Sequence, residues 1–125
     1  MEENKYTLLV VEDDLELLQV YKAIFESNGY SLFEAENGKK AIDIYKKHAD
    51  EIALIILDMI LPDITGDEVL KEIHKIDPDQ TVIICTGYPE KTLSNISENI
   101  QFLQKPFLVP AVLEMVENGC KNSKT

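Results

Sequence analysis

The chain has 125 residues, 45 % of them hydrophobic, which is the composition of one globular domain with apolar material for its own core and not that of a disordered segment. Its formal net charge is −11, and all 12 basic residues are Lys. Without Arg, and with this acidic excess, direct nucleic-acid binding is excluded as an expectation, and partners are expected to be basic or cationic.

The predicted elements alternate strand and helix. "YTLLVV" (6–11) is a short apolar strand, followed by Leu17, Val20, Tyr21 and Ile24 at the i, i+3, i+4, i+7 spacing of an amphipathic helix. Gly29 is placed to end that helix as its C′ residue. "YSLFEA" is a strand, and "NGKKAIDIYKKH" a helix with Ala41, Ile42 and Tyr45 on one face. "EIALIILD" is a nearly continuous apolar run, as expected of a central parallel strand buried on both faces. "GDEVLKEIHKI" is a helix with Val69, Ile73 and Ile76 inward, ended with the help of Pro78. "TVIICTG" is a fourth strand, "PEKTLSNISENI" a short helix, and "QFLQKPF" a fifth strand. "VPAVLEMVENGC" is a closing helix that runs into a frayed tail, so one domain is expected with a core of about 6–118 and a tail of 119–125.

No apolar run approaches the roughly 20 residues of a membrane span. "MEENKYT" has neither the basic nor the apolar region of a signal peptide, so no membrane association and a cytoplasmic location are expected. Cys85, inside an apolar run, reads as a core thiol and Cys120, near the polar tail, as a surface thiol; neither has a Cys or His at metal spacing. His48 and His74 lie among lysines on helix faces, with no catalytic role expected.

Strands alternating with helices predict an α/β fold: a parallel sheet covered on both faces and joined by right-handed crossovers. In such sheets ligands bind beyond the carboxyl ends of the strands, where the strand order reverses. The first strand ends at Glu12-Asp13-Asp14, the third at Asp58, the fourth at Thr86-Gly87 and the fifth at Lys105-Pro106, so these residues should converge at one sheet edge. Asp14 alone reads as a helix N-cap. Glu12, Asp13 and Asp58 together are a hard-oxygen set suited to Mg²⁺, whose charge would relieve their repulsion. A carboxylate in that setting can act as a nucleophile toward phosphorus, with the Lys105 ammonium and the Thr86 hydroxyl supporting the charge on the phosphoryl oxygens.

The stretches "VVEDD", "LDMILPDITG", "TG" and "KPF", in that order, resemble the receiver domain of two-component response regulators over nearly the full chain. The likeness is to chemotaxis-regulator-like receivers, and "TGYPE" and "FLQKPF" look most like receivers of hybrid histidine kinases. The resemblance implies a flavodoxin-like doubly wound sheet of strand order 2-1-3-4-5. It implies Asp58 as phosphoacceptor, Asp13 as a direct Mg²⁺ ligand with Glu12 acting through water, and the backbone carbonyl of Ile60 as a further ligand. It implies Thr86 as the switch hydroxyl, Lys105 as the salt-bridging lysine, a cis Lys105–Pro106 bond, and Phe102 at an aromatic switch position often held by Tyr, facing inward. The module would take its phosphoryl group from a sensor histidine kinase, a phosphotransfer protein or a small donor such as acetyl phosphate. It would signal to a downstream effector, with a phosphorylation-dependent dimer among the possible outcomes, and would be no enzyme beyond its own phosphorylation and dephosphorylation. The segment from Thr86 to Lys105 departs from the family pattern, being short and without the Gly-Ala pair before the fifth strand. Two rivals are a degenerate receiver serving as a docking scaffold and a Mg²⁺-dependent phosphatase of the haloacid-dehalogenase kind; the latter carries a second Asp two residues after its nucleophile, where this chain has Ile60.

Overall fold

Two apolar runs set the centre of the molecule, whose computed structural model describes residues 6–87 and 99–121. Strands β1 (Thr7–Val11) and β3 (Ile52–Leu57) pair in parallel with Val11 opposite Leu57, and every residue of β3 is buried. β2 (Ser31–Ala35) lies on the far side of β1, β4 (Thr81–Thr86) pairs with β3, and β5 (Ile100–Gln104) closes the other edge. The order is therefore β2-β1-β3-β4-β5, all parallel, which is the flavodoxin-like arrangement.

Successive strand residues point to opposite faces, so the continuous apolar runs feed two separate cores. Leu9, Val11, Ile55, Leu57, Val82 and Ile84 pack with Ala41 and Tyr45 of α2 (Gly38–His48) and Val69 and Ile73 of α3 (Gly66–Ile76). Leu8, Val10, Leu54, Ile56, Ile83 and Cys85 pack with α1 (Leu15–Glu26) and α4 (Val109–Lys121) on the other face. Full burial of each such aliphatic side chain stabilises by about 1.5–3 kcal/mol, which is why the apolar runs dominate the fold.

Helix α1 is rotated from the expected stripe. Its buried residues are Leu18, Tyr21 and Phe25, whereas Val20 is 47 % exposed and Leu17 and Ile24 are half-buried. The aromatic rings decide this: Tyr21 and Phe25 stack at 5.9 Å, and Phe25 meets Tyr30 edge-on at 6.1 Å. Rings of this size remove more apolar area from water than Val20 can, so the helix turns to bury them. The helix closes as expected at Gly29, whose φ of 93° lies in the left-handed region. Gly29 N–H donates to the Glu26 carbonyl and Tyr30 N–H to the Phe25 carbonyl, the bond pair of a Schellman closure. In α3 the expected Val69 and Ile73 are inward with Leu70, but Ile76, the last helical residue, is 44 % exposed.

The carboxyl end also differs from expectation. α4 continues to Lys121, and Gly119 and Cys120 are buried, so the frayed tail does not begin at 119 and Cys120 is a core thiol like Cys85. "NGCK" is polar in chain order, but on a 3.6-residue period Gly119 and Cys120 continue the face of Val112 and Val116. Residues 122–125 lie outside the described residues, as does the helix expected over 89–100 except for its last two positions. Of those, Ile100 opens β5 opposite Val82. β5 stops at Gln104, before a cis Lys105–Pro106 bond, because proline has no N–H to continue the ladder.

A buried polar lock ties the amino ends of β3 and β4. The Tyr45 hydroxyl donates to Gln80 Oε1 at 2.6 Å, and the Gln80 amide donates to the carbonyls of Ala53 and Thr81 at 3.1 Å each.

Candidate functional site

The acidic stretch after β1 divides by role. Glu12 is still tied to β2, its N–H donating to the Ala35 carbonyl at 3.0 Å, and its carboxylate is only 2 % exposed. Asp14 is the N-cap of α1, with Oδ1 accepting from the N–H groups of Glu16 at 3.0 Å and Leu17 at 3.3 Å. The opening charge cluster is thus relieved in part by a helix start that needs an acceptor. Glu12 and Asp13 face Asp58 instead. One carboxylate oxygen from each of Glu12, Asp13 and Asp58 lies within 4.8 Å of the others, with Glu12 and Asp58 buried and Asp13 exposed.

Asp58 is placed by β3 and the loop after it. Its N–H donates to the Val11 carbonyl at 3.1 Å, and its Oδ1 accepts from Ile60 N–H at 3.3 Å. Lys105 reaches in from beyond β5, with Nζ 2.9 Å from Glu12 Oε1 and 3.2 Å from Asp58 Oδ2. Desolvation raises the Glu12 pKa, and the hydrogen bonds from Lys105 and from Asp14 N–H offset only part of the rise. For Lys105 desolvation works downward, but the hydrogen bond to Glu12 and the charge of Asp58 outweigh it and hold the ammonium above its ordinary range. With the acids ionised, three carboxylates against one ammonium leave the cleft two charges negative.

The structure brings Glu12, Asp13, Asp58 and Lys105 into one cleft, with Ile60 beside Asp58. Thr86 is the last residue of β4, paired with Gln104, so its backbone lies at the carboxyl end of the sheet; its hydroxyl, and Tyr88 of the "TGYPE" stretch, expected with Ile60 to flank the phosphoryl group, lie outside the described residues. Phe102 sits opposite Ile84 and is half-buried against the core under α2 and α3. The histidines are engaged elsewhere. His48 stacks on Phe33 at 4.4 Å and bonds Glu51 at 2.8 Å, and His74 Nε2 lies 3.2 Å from the Gln80 carbonyl.

Two contacts at the site have no local signal in the chain. The Tyr21 ring of α1 stacks on Phe107, two residues past Lys105, at 5.8 Å. Asp63, five residues past Asp58, accepts from the N–H groups of Gly38 at 2.8 Å and Lys39 at 2.9 Å.

Residues 8–117 match the family model of the response regulator receiver domain. The chain belongs to this family. The receiver is 32 % identical over 117 residues to the chemotaxis protein CheY of Bacillus subtilis (strain 168), covering 89 % of this chain and 94 % of that protein. It is 33 % identical over 113 residues to the sporulation initiation phosphotransferase F of the same organism, covering 88 % and 90 %. The solved receiver domain protein from Clostridium thermocellum shares the receiver's fold with a TM-score of 0.86 at 27 % identity, covering 94 % of this chain and 95 % of that one. Receiver domains are signalling modules of two-component systems that generally use Mg²⁺. The acidic cluster of this receiver has the oxygen-only donor set that such an ion prefers. Among the described residues no helix is long and apolar enough to cross a membrane.

Proposed function

We propose that this receiver accepts a phosphoryl group on Asp58 from a sensor histidine kinase or a phosphotransfer protein and signals by shifting its conformational population toward a form that a downstream partner binds. The observation that carries this reading is the placement of Asp58. It is buried at the carboxyl end of the central strand, 3.2 Å from the Lys105 ammonium, with two further carboxylates converging on it.

The donor set fits a divalent cation: all three groups are carboxylates, and the cleft retains two uncompensated negative charges. Glu12, Asp13, Asp58 and the Ile60 carbonyl would hold Mg²⁺, which supplies charge neutralisation and support for the transferring phosphoryl oxygens. The chain's own residues do the rest. An Asp58 carboxylate oxygen attacks phosphorus as the bond to the donor breaks, giving an aspartyl phosphate. Lys105, already against Asp58 Oδ2, supports the charge on the transferred group. In this reading the Thr86 hydroxyl contacts the phosphoryl group, and Phe102, apolar and half-buried, keeps an inward rotamer in both states.

The test is incubation with acetyl phosphate and Mg²⁺, read by intact mass. One phosphoryl group per chain, about 80 Da, is expected, and EDTA should prevent it. A chain that gains no mass under these conditions overturns the reading.

Two further outcomes follow from the same site. Mg²⁺ at about ten times its Kd should add about 1.4 kcal/mol of stability. For a domain of this size that is a melting shift on the order of 3–8 °C. Asp13→Ala should raise the metal-free melting temperature, since an unpaired carboxylate leaves the cluster, and should erase most of the Mg²⁺ response. Melting curves of both proteins at fixed ionic strength check this, and a wild type indifferent to Mg²⁺ would remove the metal site from the reading. The second outcome concerns lifetime. Ile60 is bulky and 54 % exposed beside Asp58, with no acid or amide to orient an attacking water. The phosphorylated form should be long-lived, and Ile60→Asn should speed its decay, measured as loss of the added mass with time.

A further inference from the structure

The loop between β3 and α3, 58–65, is held more firmly than its exposure suggests. Asp58 Oδ1 accepts from Ile60 N–H at its start, and Gly66 N–H donates back to the Met59 carbonyl at 3.0 Å at its end. Its tip is held by a different element: the Asp63 carboxylate accepts from the first two N–H groups of α2, one oxygen to each. Helix α2 has its own N-cap in Asn37, whose side chain accepts from Lys40 N–H at 2.8 Å. Asp63 satisfies donors that the local cap leaves open, from 25 residues away along the chain. Gly38 favours the close approach: a Cβ there would stand 2.4 Å from Ile64 Cγ1, so any side chain would have to displace the Ile64 side chain that packs there.

We propose that Asp63 is a positioning residue for the Asp58 site, clasping the loop onto the amino end of α2 and so keeping Ile60 in register with Asp58. The inference rests on the reading of Asp58 and its neighbours as a Mg²⁺ and phosphoryl site. Its physical basis is the small number of soft joints between Asp58 and the clasp. Ile60 lies between two fixed points, the Asp58 hydrogen bond on one side and Asp63 on the other. If Asp63 lets go, the loop keeps its ends but loses its tip, and the carbonyl of Ile60 is free to swing. Metal sites are sensitive to the partners that orient their ligands, with losses of about 10–100-fold in affinity when these are removed. The clasp also keeps its charge. Desolvation works to raise the Asp63 pKa, but the N–H groups of Gly38, Lys39 and Ile64 outweigh it and hold the carboxyl at about 2. The negative charge at a helix N-terminus is favourable in itself.

The experiment titrates wild type, Asp63→Ala and Asp63→Asn with Mg²⁺ by calorimetry well below their melting temperatures, and follows acetyl phosphate modification of each by mass. Asp63→Ala should weaken Mg²⁺ affinity by about 10-fold or more and slow phosphorylation in step. Asp63→Asn keeps one acceptor oxygen but turns its NH₂ group toward the second helix N–H and loses the charge, so it should fall between wild type and Asp63→Ala. Gly38→Ala retains the Asp63 carboxylate but displaces Ile64, and should weaken Mg²⁺ in the same direction. An Asp63→Ala protein that melts lower yet binds Mg²⁺ with wild-type affinity would show a helix cap and nothing more, overturning the inference while leaving the site reading intact. A wild type that binds no Mg²⁺ would overturn both.

Discussion

Asp58→Asn should leave the chain without any added phosphoryl group after treatment with acetyl phosphate and Mg²⁺. Asn has the shape of Asp, and its amide oxygen can keep the hydrogen bond from Ile60 N–H that now ends on Asp58 Oδ1. It lacks the ionised oxygen that attacks phosphorus, so the loss should be complete rather than partial. The fold should survive, because one of three mutually repelling carboxylates is removed from a cleft that holds a single ammonium. Intact mass before and after treatment reads the modification, and circular dichroism reads the fold. Mass gain that persists in a folded Asn variant would place the acceptor on another group, with Glu12 and Asp13 the nearest carboxylates.

Gly66→Ala should cost about 2–3 kcal/mol, a fall in melting temperature on the order of 10 °C. The added Cβ would stand 2.6 Å from the Met59 Cα and 2.8 Å from the Asp58 carbonyl oxygen. Both are backbone atoms, so no side chain can turn aside to make room. This gives a physical reason for glycine at the end of the Asp58-to-Gly66 motif: α3 starts directly against the chain that carries Asp58. The displacement reaches the site, so phosphorylation should slow as well. Gly119→Ala is the control. Its Cβ would meet Leu54 Cδ1 at 2.5 Å, the tip of a flexible side chain that can give way, and a Gly→Ala change in the last turn of α4 regains up to about 1 kcal/mol of helix propensity. Thermal melting of the two variants side by side checks the contrast. Equal losses would mean that the backbone contact at Gly66 is not what sets its effect.

What could be read from the sequence was carried by two kinds of local signal. Uninterrupted apolar runs such as Ile52–Leu57 mark strands buried on both faces, and they placed β1, β3 and β4 within a residue or so. Charged residues where such runs stop, Glu12, Asp13, Asp58 and Lys105, marked the cleft, because burial of unpaired charge is too costly to be incidental. The strand order needed the family resemblance as well. The misreadings share a different origin. Spacing alone gave α1 a stripe through Val20, but the buried face was chosen by the rings of Tyr21 and Phe25, which meet Tyr30 just past the helix and Phe107 from far along the chain. Cys120 looked exposed because its neighbours in the chain are polar, although its neighbours on the helix are not. Asp63 carried no local signal of its contact, since the helix it caps begins 25 residues earlier.

The Tyr45–Gln80 lock gives the molecule a direction. It fastens β3 and β4 at their amino ends, through Ala53 and Thr81, while Asp58 and Lys105 stand at the opposite ends of the strands. A buried polar pair with its partners satisfied is costly to pull apart and holds its neighbours to one arrangement. The lock and the acidic cleft thus stand at opposite ends of the same sheet. The charges of the cleft can therefore change without any hydrogen bond of the lock being touched.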